Sequence, residues 1–291
     1  PATETIEALQ ALEPEGAIVE VLSGPVWEHL NFQFGPGRLE RNEFSSNENI
    51  NYRKGVAHTI DKDLIVDEIL AGQVEPLDSF LEPVTPAIST GAWAQYDYNP
   101  ETAMEYFETA KSELGVDELI TVFSTTSNND ARVKLSELFV NMFGDVGVTY
   151  ENQLEDSQLF FGETLDNGLW DFGEWAWVGS PGLSGLIGIT DLWDPETPPP
   201  DGQNYYRYGV EAEGAFSDDA SVRFAAARDE MNATVDPDEL TALINEVENI
   251  LADNAIMHPL YARLVTAAVW EDEVGGFKHN PTQAGHTWNI E

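Results

Sequence analysis

The chain has 291 residues, of which 42% are hydrophobic and 23% are charged, so it can bury a core in one large or two modest domains. Asp and Glu number 53 against 13 Lys and Arg, which gives a formal net charge of −40. Such a surface repels nucleic acid and anionic lipid, and the lack of cysteine excludes disulfides, thiolate zinc sites and cysteine nucleophiles.

The first quarter of the chain is predicted to contain a helix, strands and a pair of helices. Apolar residues at helical spacing around Ile6 and Leu9 place the chain's start inside a helical pattern, so we expect a segment upstream of Pro1. The stretches EGAIVEVL and VWEHLNFQF have the alternation and aromatic content of strands. Residues 53–72 predict two short helices joined at 60–62, and the second ends at a glycine.

The middle of the chain alternates helix and strand signals. Asn99 and Pro100 have the N-cap and first-position chemistry of a helix whose apolar residues share one face. Strands are predicted for ELITVFST and GVTYEN, with a helix between them around Val133. A further strand, LWDFGEWAWVGSPG, runs into a Gly/Pro turn.

The last third begins with DPETPPPDGQNYYRYG, whose prolines predict a surface loop. Helices are expected from about Ser221 and from Asp236, and strands for MHPLYARLVTAAVW and VGGFKHN. Because strands and helices alternate along the whole chain, the fold class is α/β.

Enzymatic signatures are few. The chain has no HExxH, GxSxG or GxxxxGK[ST] motif. Gly182, Gly185 and Gly188 miss the dinucleotide fingerprint and are expected to form a turn. The five histidines are scattered, so we predict no metal site, no cofactor and no catalytic residue.

Aromatic residues cluster in one strand and the loop after it. Trp175 and Trp177 precede the turn Gly179-Ser180-Pro181, and Tyr205 follows in the proline-rich loop. Core packing and a ligand pocket both explain such rings, since amphipathic rings beside small residues and turns often line pockets. For Trp177 the two interpretations are balanced, and core packing is favoured for the others.

Several segments, taken in order, resemble the extracellular solute-binding proteins of peptide-type ABC transporters, family 5. They include HLNFQF, YRKGVAHTIDKDLIVDEILAG, YDYNPETAMEYFETA, STTSNNDARVKLSELF, DFGEWAWVGSPG, QNYYRYG and DPDELTALINEVENILADNAIMHPLYA, and they cover essentially the whole chain. The resemblance implies a type II periplasmic-binding-protein fold with two lobes and a protein that is not an enzyme. It also implies that residues 53–72 are scaffold, with His58 on the surface or in lobe packing.

The resemblance implies that this chain is the C-terminal part of a receptor. Residues 1–34 would be a partial lobe I, residues 45–258 the second ligand-binding lobe, and residues 264–291 the return to lobe I, with LNFQFGPG and HPLYAR as the crossings. Members of the family begin with a signal peptide and usually a lipidated cysteine, and they close two lobes over the solute at the extracellular face of the cell membrane or in the periplasm.

The resemblance also implies ligand contacts. Ser180 stands where the family often has an aspartate that pairs with a peptide's α-amino group, so a free α-amino ligand is in doubt and neutral solutes stay open. The remaining expected contacts are Trp175, Trp177, Asn204, Tyr205, Arg132 and Gln33.

Two functions remain open at this point. The first is a solute receptor for a peptide, oligosaccharide or similar ligand, partnered by ABC permease subunits. The second is an acidic glycoside hydrolase, because an aromatic cleft rich in carboxylates also suits two-carboxylate sugar cleavage. The shortage of basic residues indicates a salt-loving source, with an acidic ligand-binding role as the alternative. No apolar run approaches the roughly 20 residues of a membrane span, so no direct membrane insertion is expected of this segment.

Overall fold

The computed structural model describes residues 3–35 and 46–278. A five-stranded mixed sheet in the order β3-β2-β4-β1-β5 forms its centre. The strands are β1 (Ala17–Phe32), β2 (Ile120–Thr126), β3 (Thr149–Glu155), β4 (Phe172–Val178) and β5 (Met257–Trp270). The predicted strand–helix alternation is therefore confirmed, although the two expected N-terminal strands are one continuous strand.

Helices cover both faces of the sheet. They are α1 (Thr3–Gln10), α2 (Ile50–Thr59), α3 (Lys62–Leu70), α4 (Pro100–Leu114), α5 (Asp130–Asp145), α6 (Ser157–Leu159), α7 (Leu183–Ile189), α8 (Asp219–Ala233) and α9 (Pro237–Asp253). Local chemistry explains several of their ends. Asn99 caps α4, as predicted, by accepting a hydrogen bond from the backbone N–H of Thr102, and Gly115 ends that helix in the left-handed conformation.

One edge of the sheet collects the carboxyl ends of most strands. β2 is parallel to β3 and to β4, whereas β1 is antiparallel to β4 and to β5. The carboxyl ends of β2, β3, β4 and β5 therefore meet at one edge, beside the amino-terminal half of β1. In α/β sheets that edge is where ligands are usually bound.

At this same edge two strands leave the sheet together as a ribbon. Residues 17–23 of β1 pair with residues 264–270 of β5 beyond the last pairing between β1 and β4. The β1–β5 register shifts between Ser23 and Trp27, so three residues of β1 lie opposite Arg263 alone. This bulge turns Pro25 toward β4, where its carbonyl accepts a 2.7 Å hydrogen bond from Gly179 N–H.

Three local predictions are corrected by the structure. Gly185 and Gly188 lie in helix α7 instead of a turn. Val274–Lys278 contain turns and no strand, with Gly276 at φ 67°, and the rest of VGGFKHN lies outside the described residues. The proline-rich loop is irregular as predicted, but it is not wholly on the surface, because Tyr206 and Tyr208 are buried in the core.

The predicted lobe boundaries stay predictions. Residues 26–34 of the expected partial lobe I pack into the core of the described body, and the two strands leave that body near Pro25 and Arg263. Residues 1–2, 45 and 279–291, which the predicted boundaries include, lie outside the described residues.

Candidate functional site

Trp177 lies at the carboxyl end of β4, one residue before the exposed Val178. Its ring is half-buried, and its indole Nε1–H donates a 3.1 Å hydrogen bond to the hydroxyl of Tyr206. The Tyr205 ring lies 6.1 Å away at an interplanar angle of 31°. The indole is thus held at one edge by the core while it stays partly open to solvent.

A cavity of about 280 Å³ opens beside Trp177. Its lining residues are Trp177, Val178, Ser180, Ser184, Gly185, Gly188, Ile189, Leu192 and Gln203. Helix α7 approaches the turn after β4 closely, since a Cβ on Gly185 would lie only 2.2 Å from the Ser180 carbonyl oxygen. Ser184 and Gln203 were not predicted from the sequence, because the GxxGxxG spacing predicts a turn at this place and not a helix.

Trp175 occupies a different environment from Trp177, although both side chains point to the same face of the sheet. It is 1% exposed, and its ring stacks on Tyr206 with a centroid distance of 5.5 Å and an interplanar angle of 11°. Trp193 stacks on Tyr206 as well. Trp175 is therefore core in this structure, and its predicted solute contact stays a prediction.

The side chains of Asn204 and Gln33 are fully buried and form hydrogen bonds with backbone groups. Asn204 Nδ2 donates to the carbonyls of Asp194 and Tyr208, at 3.0 and 3.1 Å. Gln33 Nε2 donates to the Tyr205 carbonyl at 2.9 Å, and its Oε1 accepts from Gly35 N–H. Both side chains shape the loop that carries Tyr205, so a role in solute binding through that loop stays a prediction.

Arg132 lies on the opposite face of the sheet, in a cluster that we call the acid–arginine cluster (Glu28, Arg132, Glu174, Arg263), of which only Arg263 is partly exposed. Arg132 Nη2 is 3.1 Å from Glu28 Oε2, and Arg132 Nε is 3.2 Å from Glu174 Oε2. Arg263 Nε is 2.6 Å from Glu28 Oε1. The predicted pairing of Arg132 with a solute carboxylate stays a prediction, because in this structure two protein carboxylates hold its guanidinium.

The two carboxyl groups of the acid–arginine cluster differ in pKa. Burial alone raises the pKa of Glu28, but its hydrogen bond with Glu174 and its two arginine partners outweigh burial and lower that pKa to about 2. Burial, followed by the negative charge of Glu28, raises the pKa of Glu174 well above its usual range. The pKa values of the two carboxyl groups are thus shifted in opposite directions, at the point where the ribbon leaves the sheet.

Two histidines are buried without charge. Burial lowers the pKa of His29 to about 3, and burial with the charge of Lys62 lowers the pKa of His258 well below its usual value. Because both folded-state pKa values lie below the unfolded value of about 6.5, only the unfolded chain takes up these protons just below that pH. The free energy of unfolding should therefore fall as the pH drops below 6.5, by up to about 1.4 kcal/mol per pH unit for each histidine.

Urea unfolding at pH 7 and at pH 5.5, where most carboxylates are still ionised, measures this loss. Replacing His258 by leucine should reduce it, since neither ring nitrogen of His258 has a hydrogen-bond partner to lose. An identical loss in wild type and His258→Leu would contradict a neutral, buried His258.

Within residues 3–35 and 46–278, no cluster of three or more His, Asp or Glu is arranged to hold a metal ion. Over the same ranges, every helix is too short or too polar to cross a bilayer.

Known proteins resemble this chain in sequence. The family model described as bacterial extracellular solute-binding proteins, family 5 Middle, matches residues 7–185. The oligopeptide-binding protein OppA of Bacillus subtilis (strain 168) is 22% identical over 179 residues, which are 60% of this chain and 31% of OppA. The chain therefore spans about a third of the length of this curated relative.

Solved structures share the fold. AppA from Bacillus subtilis, an oligopeptide-binding protein in complex with a nonapeptide, superposes with a TM-score of 0.70 at 14% identity, over 97% of this chain and 53% of AppA. NikA from Brucella suis in complex with Fe(III)-EDTA gives a TM-score of 0.70 at 15% identity, over 96% of this chain and 53% of NikA. The predicted α/β fold of the type II periplasmic-binding-protein class is confirmed, and this chain covers about half of it. Because the family model matches more than half of its residues, the chain belongs to the bacterial extracellular solute-binding proteins, family 5.

Proposed function

We propose that this chain is the solute-capturing part of an ABC importer's binding protein, which delivers a peptide, an oligosaccharide or a similar solute to permease subunits. The observation that carries the proposal is the cavity beside Trp177, at the sheet edge where both ribbon strands leave the body. In α/β folds, ligands usually bind outside the carboxyl ends of the strands, in pockets that are often lined by aromatic side chains. We place the receptor on the extracellular side of the membrane, held there by a lipid anchor outside this chain.

The ribbon supports closure over the solute by a second lobe. Two long paired strands with a bulge at their exit form a connection that can bend at few residues, as in hinge closure. The carbonyl of Pro25 in the bulge accepts a hydrogen bond from the backbone N–H of Gly179, in the turn beside the cavity. The same turn therefore contacts both the solute cavity and the point where the ribbon leaves the sheet.

The receptor performs no chemistry in this proposal. Incubation with peptides and oligosaccharides should raise the melting temperature at a stoichiometric ligand ratio and release no product, as judged by mass spectrometry. The glycoside hydrolase alternative predicts turnover that is lost on Asp171→Asn or Glu174→Gln. Wild-type hydrolysis abolished by either change would overturn the receptor proposal.

We also propose a salt-loving source, since the formal net charge is −40. Repulsion among these charges should destabilise the fold at low ionic strength. The Debye length falls from about 10 Å at 0.1 M salt to about 3 Å at 1 M, so screening should raise the melting temperature between 0.1 M and 2 M KCl. A flat or falling melting temperature over that range would contradict this proposal.

A further inference from the structure

The cavity beside Trp177 is lined without a single charged side chain. All nine of its lining residues are uncharged, although 23% of the chain is charged. By contrast, the cavity of about 300 Å³ near the start of α5 is lined by Glu28, Asp130 and Arg263 among others. The uncharged lining is thus a property of this cavity and not of the sheet edge in general.

Hydrogen-bonding groups are nevertheless available in the cavity. Ser180, Ser184 and Gln203 are exposed, and their side chains have no hydrogen-bond partner among the residues that the structure describes. The Trp177 indole N–H is already used by Tyr206, so the ring itself offers its apolar surface. A group that fits would combine a flat or ring-shaped apolar surface with hydroxyl or amide hydrogen bonds.

The volume limits what enters. About 280 Å³ lies just below the range of roughly 300–1,000 Å³ typical of whole-ligand sites. The cavity therefore holds one ring or one blocked end of a larger solute, and the rest of that solute lies outside it.

We infer that this cavity takes an uncharged, hydrogen-bonding group, such as a sugar ring or an acylated amine, and disfavours a free α-ammonium group. The inference rests on the proposed function. An ammonium loses its hydration on entering and finds no carboxylate in the lining to replace it. The chain's net charge attracts cations at long range, but salt screens that attraction, so the local lining decides.

Three probes test the inference by calorimetry on the receptor that carries this chain: trialanine, N-acetyl-trialanine and maltotriose. The first two differ at the α-amino group alone, which N-acetylation converts from a charged ammonium to an uncharged amide that carries an acetyl group. We expect N-acetyl-trialanine or maltotriose to bind at least tenfold tighter than trialanine, and the tighter of the two identifies the acylated amine or the sugar ring as the preferred source. Trialanine binding as tightly as both of the others would overturn the inference.

Ser180→Asp supplies a charge partner inside the cavity. It should raise trialanine affinity at least tenfold and lower affinity for the preferred neutral probe. Ser112→Asp is the matched control, because it adds the same charge at an exposed site on α4 outside the cavity, and it should leave both affinities unchanged. Equal effects of Ser112→Asp and Ser180→Asp would show a long-range charge effect and overturn the inference.

Trp177→Ala separates this inference from the proposed site. If Trp177→Ala weakens binding while trialanine binds as tightly as both N-acetyl-trialanine and maltotriose, the site stands and the neutral preference is wrong. If Trp177→Ala leaves all binding unchanged, the solute is held elsewhere and both the site and the inference are wrong.

Discussion

Trp175→Ala should lower the free energy of unfolding by about 3–5 kcal/mol, the usual loss for truncating a packed tryptophan. The ring is 1% exposed and stacks on Tyr206, so its removal leaves a cavity that rigid neighbours cannot fill. Trp177→Ala should cost less stability, because that ring is half-buried and forms part of a cavity wall. Urea unfolding of the two variants measures the difference.

Solute affinity should be reduced more by Trp177→Ala than by Trp175→Ala, which is the opposite of the order expected for stability. Trp177→Ala should weaken the preferred solute at least tenfold, since stacking on an aromatic ring contributes about 0.5–1.5 kcal/mol beyond the buried area itself. Trp175 and Trp177 lie two residues apart on one strand and one face, so each is the other's matched control. Similar stability losses in the two variants, with binding unaffected by Trp177→Ala, would place Trp177 in the core and the solute elsewhere.

Replacing each of the two carboxyl groups of the acid–arginine cluster in turn should change the free energy of unfolding by very different amounts. Glu28→Gln removes the anion that pairs with both Arg132 and Arg263, and breaking a buried ion pair usually costs about 3–5 kcal/mol. We expect a loss near the lower limit, because Glu174 can then ionise and partly replace Glu28. Glu174→Gln should cost less stability than Glu28→Gln at pH 7, because burial and the charge of Glu28 already disfavour the charged form of Glu174 in the folded state.

The pH dependence gives the same distinction. The pKa of Glu174 is raised in the folded state, so its contribution to stability is present below the unfolded pKa and is lost as pH rises through the folded value. Glu174→Gln should therefore gain stability relative to wild type as the pH is raised. Urea midpoints for wild type and both variants, from just above the unfolded glutamate pKa of about 4.3 upward, measure this. Equal losses of stability for Glu28→Gln and Glu174→Gln across that range would contradict the opposite pKa shifts of the two carboxyl groups.

Local signals determined most of the helices and strands. Asn99 and Pro100 start a helix through capping and a fixed φ, and these effects involve only neighbouring residues. The same holds for the pair of helices within residues 53–72, where Asp61 caps α3. The turn predicted at Gly185 is wrong, because helix α7 packs closely on the Ser180 backbone there, and glycine's own conformational preference does not favour a helix.

By itself, the sequence determined the acidic surface, the α/β alternation and the family resemblance, because charge, periodicity and segment order are properties of the linear chain. Only the tertiary structure decided which aromatic ring lines a cavity. Trp175 and Trp177 share a strand and a face, and the loop carrying Tyr206 covers the first ring more fully than the second. The tertiary structure also decided the partners of Arg132 on α5. Glu28 and Glu174 lie on β1 and β4, which are far apart in the sequence and become neighbours only when the sheet pairs.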